Sequence, residues 1–213
     1  MWLGLSRLLL ILFLNSPLAF SQNDTEAITI EISNDVYTQV PFSSQFSGQG
    51  ALIKNIDFKS VNSLTSQVEQ KFKHLLYGKN LKSRGESHIT IITPPEGKSG
   101  FIPGSTGIDH AISTNKLISM YKSQINDADF KIECLGMQKN TKGKIVFYLV
   151  IASKDIVDIR KNIEKKVLAK GIRPTHFKAL QGYYPHITIG YIGGDIHGVI
   201  KDKSTCIADI NLK

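Results

Sequence analysis

The 213-residue chain has only two cysteines, fewer acidic than basic side chains, and no long apolar run beyond its first residues. Two cysteines, Cys134 and Cys206, are too few for a disulfide-framed scaffold and allow one intramolecular bridge at most. Both sit in apolar contexts, FKIECLGM and STCIADI, so the sequence leaves a bridge and two buried thiols as alternatives. No His and Cys set has metal-ligand spacing, and neither a metal nor another cofactor is expected. No segment after residue 21 is apolar enough to span a bilayer, which argues against a polytopic membrane protein. The shortage of acids leaves 26 Lys and Arg against 18 Asp and Glu, a formal net charge of +8. That excess favours anionic partners without choosing among nucleic acid, nucleotide, membrane and glycan.

What is present begins with MWLGLSRLLLILFLNSPLAFSQ, in which one positive charge, Arg7, precedes an apolar run from Leu8 to Leu14 and small residues at Ala19 and Ser21. This order reads as a secretory signal peptide over residues 1–21. Residues 22–213 are then expected to form a single domain with two lobes, monomeric, secreted or in the secretory-pathway lumen, with no stable membrane anchor after cleavage. Asn23 opens a glycosylation sequon, Asn23-Asp24-Thr25, at the mature N-terminus.

Three stretches carry helical periodicity. Val61, Leu64, Val68, Phe72, Leu75 and Leu76 predict a first helix capped by Ser60 and ended by Gly78. Leu117, Ile118, Tyr121 and Ile125 mark a second. Ile156, Ile159, Ile163 and Val167 mark a third, with Ser153 as its cap and Gly171 beyond its basic last turn. FKIECLGM and KIVFYLVIA, separated by the polar turn QKNTKG, predict an antiparallel hairpin. Asp35 to Phe58 reads as a strand or two around a Ser/Gly loop, and Glu96 to Gly107 as a Gly/Pro/Ser loop. The class is α+β.

One tetrapeptide, His-Ile-Thr-Ile, occurs twice, in RGESHITIITP and in YYPHITIGY. Composition alone gives His-x-Thr about 0.3 times in a chain like this one. Residues two apart on a strand share a face, so His88 pairs with Thr90 and His186 with Thr188, while the isoleucines turn the other way. If the isoleucines enter a core, the two His/Thr pairs face a cleft between lobes. Two imidazoles there make an acid/base pair at neutral pH, and the hydroxyls can hold phosphate oxygens. Tyr183 and Tyr184 are candidates to stack a base, Arg84 to meet phosphate, and His197 to lie near the site. His74, His110 and His176 read as surface or packing residues.

On these motifs the chain resembles the two-histidine (2H) phosphoesterase superfamily, with its bilobal, pseudo-symmetric, LigT-like α+β fold of central antiparallel sheets and flanking helices. RGESHITIITPPE, and YYPHITIGY followed by GDIHGV, are most similar to proteins related to the Swiss army knife RNA repair-like group. The resemblance implies metal-independent cleavage of nucleotide phosphodiesters: RNA ends, 2',3'-cyclic phosphates, 2'-5' or 3'-5' oligonucleotides, or cyclic dinucleotides. It makes His88, Thr90, His186 and Thr188 the catalytic set and nucleotide or RNA the partner. The better-known relatives act inside cells, which sets this chain's secretory leader apart. The other classes that the sequence leaves open are a nucleotide- or RNA-binding protein without turnover and a surface-binding protein in which basic charge alone matters.

Overall fold

The run IVFYLVIA is apolar at every position, and the strand it forms, Ile145–Ala152, is buried on both faces except at its last residue. A computed structural model describes residues 27–42 and 50–213; the expected signal peptide and the Asn23 sequon lie outside the described residues. In chain order the strands are β1 (Thr29–Ile32), β2 (Leu52–Ile56), β3 (Ser87–Ile92), β4 (Lys131–Lys139), β5 (Ile145–Ala152), β6 (His186–Ile192) and β7 (Cys206–Leu212). They form one seven-stranded sheet in the order β1-β7-β4-β5-β6-β3-β2. Every pairing is antiparallel except β1 with β7.

The expected two lobes facing across a cleft are not evident in this arrangement. The strands carrying the repeated tetrapeptide are neighbours in a single sheet, β3 beside β6. The mixed α+β class and the β4/β5 hairpin are as expected. The strands β1 and β7 were not read from the sequence. β1 alternates strictly, with Ile30 and Ile32 buried, but it is only four residues long and gains its ladder from β7 at the far end of the chain.

All the longer helices cover one face. The expected first helix is cut into α1 (Phe58–Asn62), α2 (Leu64–Lys71) and α3 (Lys73–Leu76). Its N-cap is Asp57 rather than Ser60, the carboxylate accepting from Ser60 N–H at 2.7 Å and from the Ser60 hydroxyl at 2.5 Å. A charged oxygen suits the positive end of a helix better than a hydroxyl does. Tyr77 ends α3 in the left-handed region, followed by Gly78. The expected loop from Glu96 starts inside a helical turn, α4 (Pro94–Gly97), held by a capping box between Thr93 and Glu96. The other two helices, α5 (Thr114–Asp127) and α6 (Lys154–Leu168), match their periodicity, with Ser153 capping α6. None of the described helices is long and apolar enough to cross a membrane.

The sheet's two faces hold two apolar clusters, and β5 contributes to both. Ile145, Phe147, Leu149 and Ile151 enter the large helix-covered core with Ile89, Ile187, Ile159 and Ile163. Val146, Tyr148 and Val150 point the other way and pack with Cys134 and Ile196. That second cluster exists because the segment between β6 and β7 folds back over the sheet. A disulfide from Cys134 to Cys206, with Cα atoms 5.8 Å apart, ties its end to β4. Gly136 makes room beneath it, since a Cβ there would stand 2.5 Å from the Tyr148 ring.

Candidate active site

Strand periodicity puts the four isoleucines at positions 89, 91, 187 and 189 in the core, and leaves His88, Thr90, His186 and Thr188 half-buried on the opposite face. Burying each isoleucine side chain contributes about 1.5–3 kcal/mol, so the frame of both motifs is held by the core. In the β3/β6 ladder Ile89 lies directly beside Ile187. One step outward along antiparallel strands sets His88 across from Thr188, and Thr90 across from His186. The two histidines are thus diagonal neighbours on one face, at a Cβ separation of about 7–8 Å by general sheet geometry.

The two imidazoles have different backing. His88 Nδ1 lies 2.5 Å from the Glu86 carboxylate, which can only accept, so Nδ1 carries the proton and Nε2 is the nitrogen that exchanges one. His186 Nδ1 donates to the Tyr184 carbonyl at 2.8 Å, and its Nε2 accepts from Lys201 Nζ at 2.9 Å. These two contacts fix a neutral His186 with its lone pair on Nε2. Burial, followed by the Lys201 ammonium, pushes the His186 imidazole down to about 3, against the opposing pull of the Tyr184 carbonyl and Asp195.

Lys201 is only 3% exposed. Burial pushes its ammonium below the usual lysine range, and Asp195, with Oδ1 at 3.7 Å, pulls it back. Asp195 also forms an ion pair with Arg84, and the cations Lys201 and Arg84 hold its carboxyl below the usual range in spite of burial. The Tyr148 ring supports this cluster from β5. It meets the His186 ring edge-on at 5.7 Å and lies 5.3 Å from Lys201 Nζ, while its hydroxyl donates to Thr205 at 2.8 Å.

Behind the motifs lies a second network. Arg160 of α6 is fully buried and donates to the carbonyls of Ile91, Lys178 and Ala179 and to the Glu96 carboxylate. Its guanidinium lies between the rings of Tyr183 and Phe177, at 3.8 and 4.9 Å. The arginine thereby joins β3 to the segment that leads into β6.

Of the substrate-contact candidates, the structure places Tyr183 differently from expectation. Its ring face is taken by Arg160 and its hydroxyl donates to the Thr90 carbonyl at 2.9 Å, so it braces the first motif instead of offering a stacking surface. Tyr184 serves the site through its backbone carbonyl. Arg84 is engaged by Asp195, and His197 is exposed two residues beyond that carboxylate. Glu86, Asp195 and Lys201 were not foreseen. Glu86 had a legible signal, since it stands two residues before His88 as Thr90 stands two after. Among the described residues no three His, Cys, Asp or Glu side chains are grouped to hold a metal ion.

The family described as Swiss Army Knife, 2H phosphoesterase domain, matches residues 53–197. The chain belongs to the 2H phosphoesterases. No curated protein and no solved structure matches it. The matched 2H domain contains both His-x-Thr motifs, together with Glu86, Arg84 and Asp195; Lys201 and Cys206 lie beyond its end. Membership makes the chain a phosphoesterase in general, and the contacts around its two motifs are this chain's own.

Proposed function

We propose that this 2H phosphoesterase is a secreted, metal-independent phosphodiesterase of nucleotide substrates, with 2',3'-cyclic phosphates, 2'-5' or 3'-5' oligonucleotides and cyclic dinucleotides as the candidate linkages. The observation that carries the reading is the diagonal placement of His88 and His186 about the Ile89/Ile187 pair, each opposite the other motif's threonine. One imidazole takes a proton from water or a 2'-hydroxyl as the new P–O bond forms. The other gives a proton to the leaving oxygen as the old bond breaks. Hydroxyls of Thr90 and Thr188 hydrogen-bond the non-bridging oxygens, on which negative charge is spread during in-line displacement. The net positive charge, +8 for the full chain and +7 once Arg7 is lost with the leader, draws polyanions to the surface. The Cys134–Cys206 bridge and the apolar leader both favour an oxidising compartment.

The test is incubation with a panel of these linkages, with the position of the product phosphate determined. The expected outcome is turnover of at least one linkage, lost in His88→Ala/His186→Ala while binding persists. Binding without turnover of any linkage by the unaltered protein identifies a nucleotide-capture protein and overturns the reading.

A further inference from the structure

The two histidines share a sequence motif but not an environment, and the difference lies in what each nitrogen faces. His88 is backed by a carboxylate, Glu86, at 2.5 Å. His186 is met at Nε2 by an ammonium, Lys201, at 2.9 Å, and at Nδ1 by a carbonyl. A carboxylate stabilises an imidazolium; an ammonium donating to Nε2 excludes one. Lys201 is not a surface lysine that happens to reach the site. It is 3% exposed, clamped by Asp195 and the Tyr148 ring, and carried by a segment that the Cys134–Cys206 bridge holds over the sheet.

We infer that Lys201 is a positioning residue that divides the acid and base roles, holding His186 neutral as the general base and leaving His88 as the general acid. This assignment rests on the phosphodiesterase reading. In the resting site Lys201 occupies the His186 lone pair. When a phosphodiester enters, its anionic non-bridging oxygens compete for the same ammonium, and Lys201 transfers its hydrogen bond to one of them. The freed Nε2 then takes the proton of water or of a 2'-hydroxyl as the nucleophile bonds to phosphorus. The P–O bond to the leaving group breaks, and His88 Nε2–H protonates the departing oxygen. His186 ends protonated and His88 neutral, and exchange with solvent restores both. The substrate thus activates its own base, and the lone pair is covered when no phosphate is bound.

The charged and titratable groups around His186 are Lys201 and Asp195 from the returning segment, with Arg84 and His197 beyond them, the Tyr148 phenol from β5, and His88 with Glu86 from the β3 side. Lys201 is the one that touches Nε2, so its replacement isolates the effect. With ¹⁵N-histidine-labelled full-length protein, His186 is expected to remain the neutral Nδ1–H tautomer at pH 5. In Lys201→Met it should protonate at least one pH unit higher than in the unaltered protein, and in Lys201→Arg it should stay neutral at pH 5. With 2',3'-cyclic AMP as probe, the acid limb of kcat/KM should move upward with pH in Lys201→Met. On that limb, below the shifted titration, kcat/KM should fall about tenfold for each pH unit by which the titration has moved.

A His186 already charged at pH 5 in the unaltered protein overturns the inference, even if Lys201→Met fails to fold. So does an unchanged His186 titration in a folded Lys201→Met. If the unaltered protein cleaves no phosphodiester, the phosphodiesterase reading fails on its own, and the nitrogen shifts still decide whether Lys201 governs His186.

Discussion

Ile89 and Ile187 are paired neighbours across β3 and β6, each the residue between the His and the Thr of its own motif. Because an antiparallel pair is locally two-fold, this single contact places each histidine opposite the other motif's threonine. A slip of one residue would turn one His/Thr pair into the helix-covered core and expose its isoleucines. Burial of Ile89, Ile91, Ile187 and Ile189 therefore protects the register of the two motifs as well as the fold.

His88→Ala and His186→Ala are each expected to lower turnover about 10²-fold or more, since each removes a proton-transfer partner. The losses should not multiply in the double variant, because either one alone already breaks the paired transfer. Thr90→Ala and Thr188→Ala should cause smaller losses. Steady-state kinetics on one cleaved linkage checks all four, and a fully active His186→Ala would remove the second motif from the mechanism.

Stability should fall on acidification across the window in which only the unfolded chain binds a proton at His186. The folded imidazole is held at about 3, below its ordinary 6.5. Between these values the unfolded state carries the additional proton, so the contribution is complete above about pH 6.5 and declines as pH drops towards 3. Urea unfolding at pH 7 and pH 4.5 measures the slope, and His186→Gln should make it shallower.

Arg160→Met should destabilise the protein by about 3–5 kcal/mol, because it leaves the buried Glu96 carboxylate and three backbone carbonyls without their donor. Activity at low temperature should fall as well, since the arginine links Ile91 beside the first motif to the segment before the second. Denaturation by urea and a parallel rate measurement separate the two effects. A variant as stable as the parent would show that the pair contributes no net stability.

Removing the Cys134–Cys206 bridge, which spans 72 residues, is expected to lower stability by about 4 kcal/mol on the chain-entropy account. The paired Cys134→Ser/Cys206→Ser variant should also show a loosened Lys201, seen as a higher titration of His186. Thiol titration of the unreduced, unfolded parent should find no free groups; two would contradict the bridge.

The α+β class, the β4/β5 hairpin, α5, α6 and the face on which His88, Thr90, His186 and Thr188 lie were all legible in the sequence. These depend on local periodicity and caps, which a chain displays without its tertiary contacts. Even Glu86 falls under the same two-residue rule. The single sheet was not legible, because strand order depends on which ladders close over long separations, as β1 does with β7 at opposite ends of the chain. Nor was the placement of Tyr183, whose ring could face solvent or a buried cation until Arg160 arrived from α6. Lys201 carries no periodic or spacing signal. It reaches His186 only because the chain after β6 turns back over Tyr148, in space left by Gly136, and is fastened there by Cys206. The sequence by itself determined that two histidines share a face with two hydroxyls, whereas the tertiary structure decided that one is backed by a carboxylate and the other met by an ammonium, since those partners are brought close by packing and not by the period of a strand.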